Sequence, residues 1–297
     1  MQNPLRDWII AGLTHKPLPA LPNVKEHFDK LSELMIEVAE NEGVLLLLEY
    51  QLQSHPQRAE LPNDWMQNLQ AACQQSLFDQ LAMLAEQAKV FEALHQANID
   101  FLVLKGGALA HWLYAKPHLR VVTDLDILLP SKQAVFELSE VLASIGYHTE
   151  VAAGELISYE HPFRKQGGPY GNFTVDAHWR LFNSALLQNR FDYAQLRSEA
   201  VSLPNKVGAH VLSPVHALFN ACGHFVMNLP NTQTLGLQNP HSLRWQWDIH
   251  AIAISLNDSQ WLAVIQLAQQ KQMSAVILHA LNTVHSVFDT VIPSHVL

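Results

Sequence analysis

Two carboxylates interrupt an otherwise apolar segment near the middle of the chain. Residues 121–129 read VVTDLDILL and contain Asp124 and Asp126. In a β-strand these two side chains point to the same side, because side chains alternate with a period of two residues. Two like charges on one small patch are costly, and a bound metal ion between them would stabilise them. The alternative interpretation is a solvated strand edge that carries two acids.

A lysine and two glycines precede this acidic segment. The apolar run 101–104 stops at Lys105, Gly106 and Gly107, and a short helix is expected over 108–114. A turn from a strand into a helix offers backbone N–H groups to an anion such as phosphate, and glycine lets the anion approach closely. The segment fits neither the Walker A nor the GxGxxG pattern. A tight turn without a ligand is the alternative.

A third acid lies in the segment 173–180, FTVDAHWR. On a strand, Asp176 and His178 share one face. The acid could complete a carboxylate cluster, while the imidazole could contact phosphate or orient an acid. An exposed sheet face is the alternative.

Hydrophobic periodicity divides the chain into three predicted regions, which are helical over 1–98, mixed over 99–212 and helical over 213–297. The first region is predicted to hold helices at 24–39, 43–52 and 62–97. The second has predicted strands at 99–104, 121–129, 147–151, 156–165 and 172–181, with a helix at 132–145. The third has predicted helices at 215–227, 241–256, 259–270 and 274–288. This order predicts an α+β fold with a mixed sheet.

The composition indicates which binding partners and which cellular compartment to expect. The net charge of −9 argues against a long nucleic-acid partner, since phosphate neutralisation needs a basic surface. The 17 histidines and two cysteines form no metal-ligand or disulfide pattern. Neither a membrane-spanning apolar stretch nor a signal-peptide layout is present, so we expect a reduced, cytoplasmic protein without membrane contact.

Taken together, these motifs resemble a known family. The run LKGGALAHWLY…LRVVTDLDILL, the strand VDAHWRL at 175–181 and the helix LRWQWDI at 243–249 are similar to the uncharacterised nucleotidyltransferase family of the DNA polymerase β-like superfamily. The resemblance covers about residues 90–256 and implies a nucleotidyltransferase-type sheet core. The spacer of sixteen residues between Gly107 and Asp124 is longer than in the wider superfamily.

The resemblance also implies roles for individual residues. Asp124, Asp126 and Asp176 would be the catalytic acids and would hold Mg²⁺ or Mn²⁺. Nucleotide binding would fall to Lys105, Gly106, Gly107, Arg120 and His178. The residues His224, Arg244 and Asp248 would line the cleft from the helical side.

Structural roles remain open for several of these residues. Arg120 could pair with an acid instead of phosphate. Asp248 is expected to form an ion pair with Arg244, four residues earlier on the same helix. His224 fits a partly buried helix position, and Trp245 and Trp247 fit a core or cleft wall. The polar segment 229–240 suits either a lid or an ordinary connection.

The predicted activity is metal-dependent transfer of a nucleoside monophosphate from an NTP, expected to be ATP, to a hydroxyl of a small molecule or protein. One alternative is a metal-dependent glycosyltransferase that uses Asp-x-Asp. Another is a non-catalytic nucleotide-binding regulatory module.

Overall fold

A computed structural model describes residues 4–19, 28–149, 160–203, 206, 208–229, 242–294 and 296. It contains a six-stranded mixed sheet with helices before, within and after it, so the predicted α+β class is confirmed. The segment 230–241 lies outside the described residues, and with it most of the predicted lid or connection. None of the described helices is long and apolar enough to cross a bilayer.

Among the described residues, four α-helices precede the sheet: α1 (Pro4–Thr14), α2 (Phe28–Asn41), α3 (Leu45–Gln53) and α4 (Asn63–Gln96). The last three correspond to the predicted helices. Helix α1 was not predicted, although Pro4 at its start and buried Trp8, Ile9 and Leu13 follow helical rules. Helix α1 packs mainly on α3 and α2. Its Trp8 ring also meets Trp65 of α4 edge-on, at 5.3 Å between centroids.

The sheet has the strand order β3-β4-β2-β1-β6-β5. Its strands are β1 (Leu102–Val103), β2 (Leu125–Leu128), β3 (Glu160–Gly168), β4 (Gly171–His178), β5 (Val201–Ser202) and β6 (His210–Val211). Strand β2 pairs antiparallel with β1 and parallel with β4, and β3 and β4 form a hairpin. The predicted strands at 99–104 and 121–129 are shorter in the structure. The strand predicted at 147–151 is only a bridge between His148 and Arg164 within its described part.

The remaining helices are α5 (Lys105–Trp112), α6 (Ala134–Ser144), α7 (Tyr193–Ser198), α8 (Pro214–Asn228), α9 (Leu243–Ser255), α10 (Asp258–Gln270) and α11 (Ser274–Phe288). The C-terminal helices agree with the prediction to within two residues. Their starts follow capping chemistry, since the Ser213 hydroxyl accepts the His216 N–H and Asn257 forms a capping box with Gln260.

Two buried clusters hold the elements together. One contains Val90, Phe91 and Leu94 of α4 with Phe101 and Ile127 from the sheet region. The other joins side chains of the N-terminal helices to those of α8, α9 and α11. Both clusters cross the boundary predicted at residue 98. The division into three domains therefore stays a prediction.

Candidate active site

Adjacent parallel strands bring two of the predicted acids side by side. Asp126 of β2 is the register partner of Asp176 in β4, and their flanking residues Leu125, Ile127 and Val175 are buried in the sheet-side cluster. The two carboxylates therefore share the opposite face of the sheet. Asp124 lies one residue before β2. The period-two pattern predicted this arrangement of apolar and acidic faces.

Asp126 is held by two basic side chains. Its Oδ1 accepts Lys105 Nζ at 2.6 Å and lies 2.8 Å from His178 Nε2. Burial by itself raises the pKa of this carboxyl, but Lys105 and His178 keep it well below its ordinary value. Two roles were predicted for His178, contact with phosphate and orientation of an acid. Its contact with Asp126 corresponds to the second.

The other two acids lack comparable compensation. Burial raises the pKa of Asp176 to about 7, and the charges of Asp126 and Asp124 add to the effect. Burial and Asp126 also raise the pKa of Asp124, although Lys105 and Arg244 oppose the shift. Ionising all three carboxylates therefore costs free energy that a bound cation would offset.

The donor chemistry of this patch suits a hard divalent cation, because Mg²⁺ prefers carboxylate oxygens. The side chains do not, however, form a ready-made cage. In the described ranges no group of three or more His, Cys, Asp or Glu side chains is arranged to hold a metal ion. The Lys105 ammonium instead lies against the Asp126 oxygen. A metal would therefore require the carboxylates and Lys105 to rearrange.

The glycine turn opens α5 earlier than predicted. The helix starts at Lys105 rather than residue 108, and Lys105 has φ +46°, a conformation that favours glycine. The Ala108 N–H donates to the Leu104 carbonyl at 3.2 Å. The N–H groups of 105–107 precede this first helical bond, so they belong to the helix terminus that suits an anion.

The two glycines have different surroundings. A Cβ on Gly106 would lie 2.8 Å from Arg120 Nη1, and a Cβ on Gly107 would lie 3.1 Å from Leu125 Cδ1. Gly106 therefore permits close packing by the guanidinium, while Gly107 packs α5 on β2. Of the two, only Gly106 lines the described cavity.

Arg120 forms a buried ion pair with Asp248. Its Nε and Nη2 donate to the carboxylate at 2.9 and 2.7 Å, and the Tyr114 hydroxyl donates to the same group at 2.7 Å. Burial lowers the pKa of Arg120, but the Asp248 charge outweighs it and raises the pKa. The predicted Arg244–Asp248 ion pair is wrong, because Asp248 is occupied by a residue 128 positions away. Arg120 thus pairs with an acid, which was the predicted alternative to binding phosphate.

The buried charge of Arg244 is only weakly compensated by neighbouring groups. Its Nη1 lies 3.4 Å from the Val121 carbonyl, and its buried Nε has no hydrogen-bond partner within the described part of the chain. Burial and the charge of Arg120 lower its pKa to about 10, so it remains a cation at neutral pH. Both Arg244 and Lys105 line the cavity. Such a cation suits an anionic ligand.

The N-terminal region fixes Arg244. Glu42 is buried, and its Oε2 accepts the Leu243 N–H at 2.6 Å, which caps the start of α9. Arg6 Nε donates to the other carboxylate oxygen at 2.9 Å. Gly43 has φ +68° and lies against the Arg244 side chain, where a Cβ would be 3.0 Å from Cδ. The helical extension thus takes part in building the site.

A cavity of about 480 Å³ lies between α5, the start of β2, α8 and α9. This volume is within the range of about 300–1,000 Å³ typical of small-molecule sites. Asp124, Asp126 and His224 line it, whereas Asp176 and His178 do not. Burial and Lys105 lower the pKa of His224 to about 3, so its imidazole is neutral near pH 7.

Trp245 and Trp247 lie in different environments, one at the cavity wall and the other in the helical core. Trp245 lines the cavity and meets the His224 ring edge-on at 4.9 Å, while Trp247 belongs to the helical core.

Gln80 was not predicted as part of the site. Its Oε1 accepts the Val122 N–H at 2.7 Å, and its Nε2 donates to the Val122 carbonyl at 3.3 Å. The Nε2 also donates to the Tyr170 hydroxyl at 2.9 Å. This amide fixes the backbone two residues before Asp124. The available signal was its spacing. Gln80 follows Cys73 by seven residues, about two helical turns, so both lie on the same buried face of α4.

Comparison with known proteins gives a family. Residues 31–289 match the family model described as Uncharacterised nucleotidyltransferase. One similar solved structure is an antigenic nucleotidyltransferase-like protein from Paracoccidioides brasiliensis, with 16% identity and a TM-score of 0.33, covering 67% of this chain and 92% of that one. No curated protein matches.

The family model places the chain in the nucleotidyltransferase-like class. The chain belongs to the uncharacterised nucleotidyltransferase family, because the family model covers most of its length. The predicted resemblance is confirmed and extends into the N-terminal helices.

Proposed function

We propose that this protein transfers a nucleoside monophosphate from an NTP, ATP in particular, to a hydroxyl group of a small molecule or protein. The observation that carries the proposal is the pairing of Asp126 with Asp176 on adjacent strands, with Asp124 at the cavity wall. Family membership favours nucleotidyl transfer over the glycosyltransferase alternative.

Asp124, Asp126 and Asp176 would hold Mg²⁺ or Mn²⁺ in this proposal. The cation would neutralise the triphosphate and polarise its phosphoryl oxygens. His178 keeps Asp126 oriented through Oδ1. Lys105 can exchange its contact with Asp126 for a phosphate oxygen, and Arg244 supplies a second cation at the cavity.

In the proposed reaction the acceptor hydroxyl oxygen forms a bond to the α-phosphorus. The bond from that phosphorus to the bridging oxygen breaks, and pyrophosphate leaves with the electron pair. Asp176 would accept the hydroxyl proton. The backbone N–H groups of 105–107 would bind the phosphates from the helix terminus.

Labelled nucleotides test the reaction class. Incubation with Mg²⁺ and ATP labelled at the α-phosphorus, together with pooled small-molecule and protein acceptors, should transfer the label and release pyrophosphate. The same assay with γ-labelled ATP should leave the acceptors unlabelled. Transfer of the γ-label would contradict the proposed reaction, as would transfer from a sugar nucleotide only.

A second candidate is the non-catalytic nucleotide-binding module. The Lys105–Asp126 ion pair favours it, because the acid already has a cationic partner in the protein. That candidate predicts binding of ATP that does not require Mg²⁺, with no label transfer to any acceptor.

A further inference from the structure

Asn220 is a buried amide at the wall of the cavity. It lies in α8, is 3% exposed and lines the cavity. Within the part of the chain that the structure describes, its side chain has no hydrogen-bond partner. The amide lines the cavity and is not among the polar atoms sealed from solvent without a partner, so it is open to pairing from the cavity side, and buried polar groups are normally paired. The unpaired amide thus points to a ligand group that completes it.

The cavity changes character along α8. His224 lies at the charged end, since Lys105, Asp126 and Arg244 all act on it electrostatically. Asn220 lies one turn earlier, about 6 Å along the helix axis. The cavity lining also contains nonpolar residues of α5, α8 and the residue after β6, namely Leu109, Trp112, Leu212, Ala217 and Ala221. The Trp112 indole N–H is buried and has no hydrogen-bond partner within the described residues. The cavity therefore has a charged end and a largely apolar slot whose polar groups are one amide and one indole N–H.

We propose that this slot binds the nucleobase of the donor, and that Asn220 selects adenine; the inference rests on the proposed function. A carboxamide presents a donor and an acceptor side by side, and adenine presents the complementary N6–H and ring nitrogen. A purine is flat and apolar on both faces, which suits the slot. Guanine carries an additional N2 amino group. That donor would stay unpaired after the amide binds N1–H and O6, because the Trp112 N–H is itself a donor.

Titration calorimetry with five probes tests this assignment. The probes are ATP, GTP, CTP, UTP and inorganic tripolyphosphate, each with Mg²⁺. The wild-type protein should bind ATP about tenfold or more tightly than the other three nucleotides. Tripolyphosphate has no base, so it reports on the charged end alone.

Two substitutions at one position separate the base contact from the phosphate contacts. Asn220→Leu should remove the preference for ATP while leaving the affinity for tripolyphosphate unchanged. Asn220→Asp should weaken the binding of ATP and strengthen the binding of GTP. A carboxylate only accepts hydrogen bonds, and guanine offers two adjacent donors, N1–H and N2–H. The matched control is Asn282→Asp on the exposed face of α11, which should leave all five affinities unchanged.

The outcomes distinguish this inference from the proposed function. Equal binding of the four nucleotides, or an unaltered ATP preference in Asn220→Leu, overturns the adenine assignment while the phosphate site stands. Absence of binding by every nucleotide and by tripolyphosphate overturns both. If the Leu variant fails to fold, the isosteric Asp variant decides, since a retained preference for ATP there contradicts the assignment.

Discussion

Arg120 and Asp248 show how a single buried charge pair fixes the cavity wall. The side chains are 7% and 6% exposed, and Tyr114 completes the carboxylate's hydrogen bonds. Removing one member leaves the other charged and uncompensated in the interior. Loss of either member should therefore destabilise the fold strongly.

Asp248→Asn should lower the free energy of unfolding by about 3–5 kcal/mol, because the Arg120 guanidinium would lose its countercharge. Urea denaturation at pH 7 measures the change. The control is Asp100→Asn, which breaks the exposed pair with Arg197 and should cost about 0–1 kcal/mol. Equal effects of the two substitutions would contradict a structural role for the buried pair.

The imidazole of His224 makes stability depend on pH. Its pKa falls from 6.5 to about 3 in the folded protein, mainly because of burial. The unfolded chain therefore binds the proton first as the pH falls, so the free energy of unfolding should decline between pH 6.5 and 3.

His224→Gln should make this decline shallower, as measured by urea denaturation at pH 7 and pH 5. The exposed His279→Gln serves as control and should keep the wild-type slope. An identical slope in all three proteins would show that His224 is not the group responsible.

Among the site residues, the sequence predicted those whose placement follows from strand periodicity. Asp176 and His178 share a face of β4 because alternation along one strand requires it. That Asp126 lies beside Asp176 depends on the pairing of β2 with β4, which alternation does not specify. The partner of Asp248 was not predictable, since Arg120 is distant in the chain and no spacing rule connects the two. Asn220 is a polar residue in an apolar helix, and its role could not be predicted from that alone. Gln80 lies about two helical turns after Cys73 on the apolar stripe of α4, but this spacing does not specify what its amide binds.

At the scale of elements, helix α4 supports the acidic strand from outside the sheet. Gln80 binds both backbone polar groups of Val122. Gln80→Leu would leave these groups without their partners, at a cost of about 1–3 kcal/mol in stability. It should also loosen the segment that carries Asp124 and so weaken Mg²⁺-dependent ATP binding.

Urea denaturation and ATP titration together measure both effects of Gln80→Leu. The control is Gln74→Leu, an exposed position on the same helix, which should change neither quantity. A stability loss without any change in ATP affinity would mean that Gln80 supports the fold but does not position Asp124.

Long elements were predicted better than short ones. Helices α4, α10 and α11 carry many residues of one period, so their patterns are clear. Strands β5 and β6 are only two residues long and were not predicted, because such segments carry too little periodicity. Strand β1 was predicted, but over 99–104 rather than its two residues. The antiparallel pairing of β1 with β2 and the order of the sheet depend on tertiary contacts that local patterns do not contain.

At the scale of the whole molecule, the helical extensions and the sheet form connected cores. Glu42 caps α9, Gln80 fixes the entry to β2, and Phe91 packs against Phe101 with ring centroids 6.0 Å apart. The site is therefore assembled from all three predicted regions. Hydrophobic patterning predicted that the extensions are helical, but the pattern of one helix does not specify which surface it covers.

The central claim is that the cavity binds a metal–nucleotide complex through the acids of β2 and the segment before it. The most direct test is a titration of wild-type protein and of the Asp124→Asn, Asp126→Asn double variant with ATP, in the presence and absence of Mg²⁺. Wild-type protein should bind ATP only weakly without Mg²⁺ and at least tenfold more tightly with it, and the folded double variant should lose this difference. Equal ATP affinity of the two proteins in Mg²⁺ would contradict the claim.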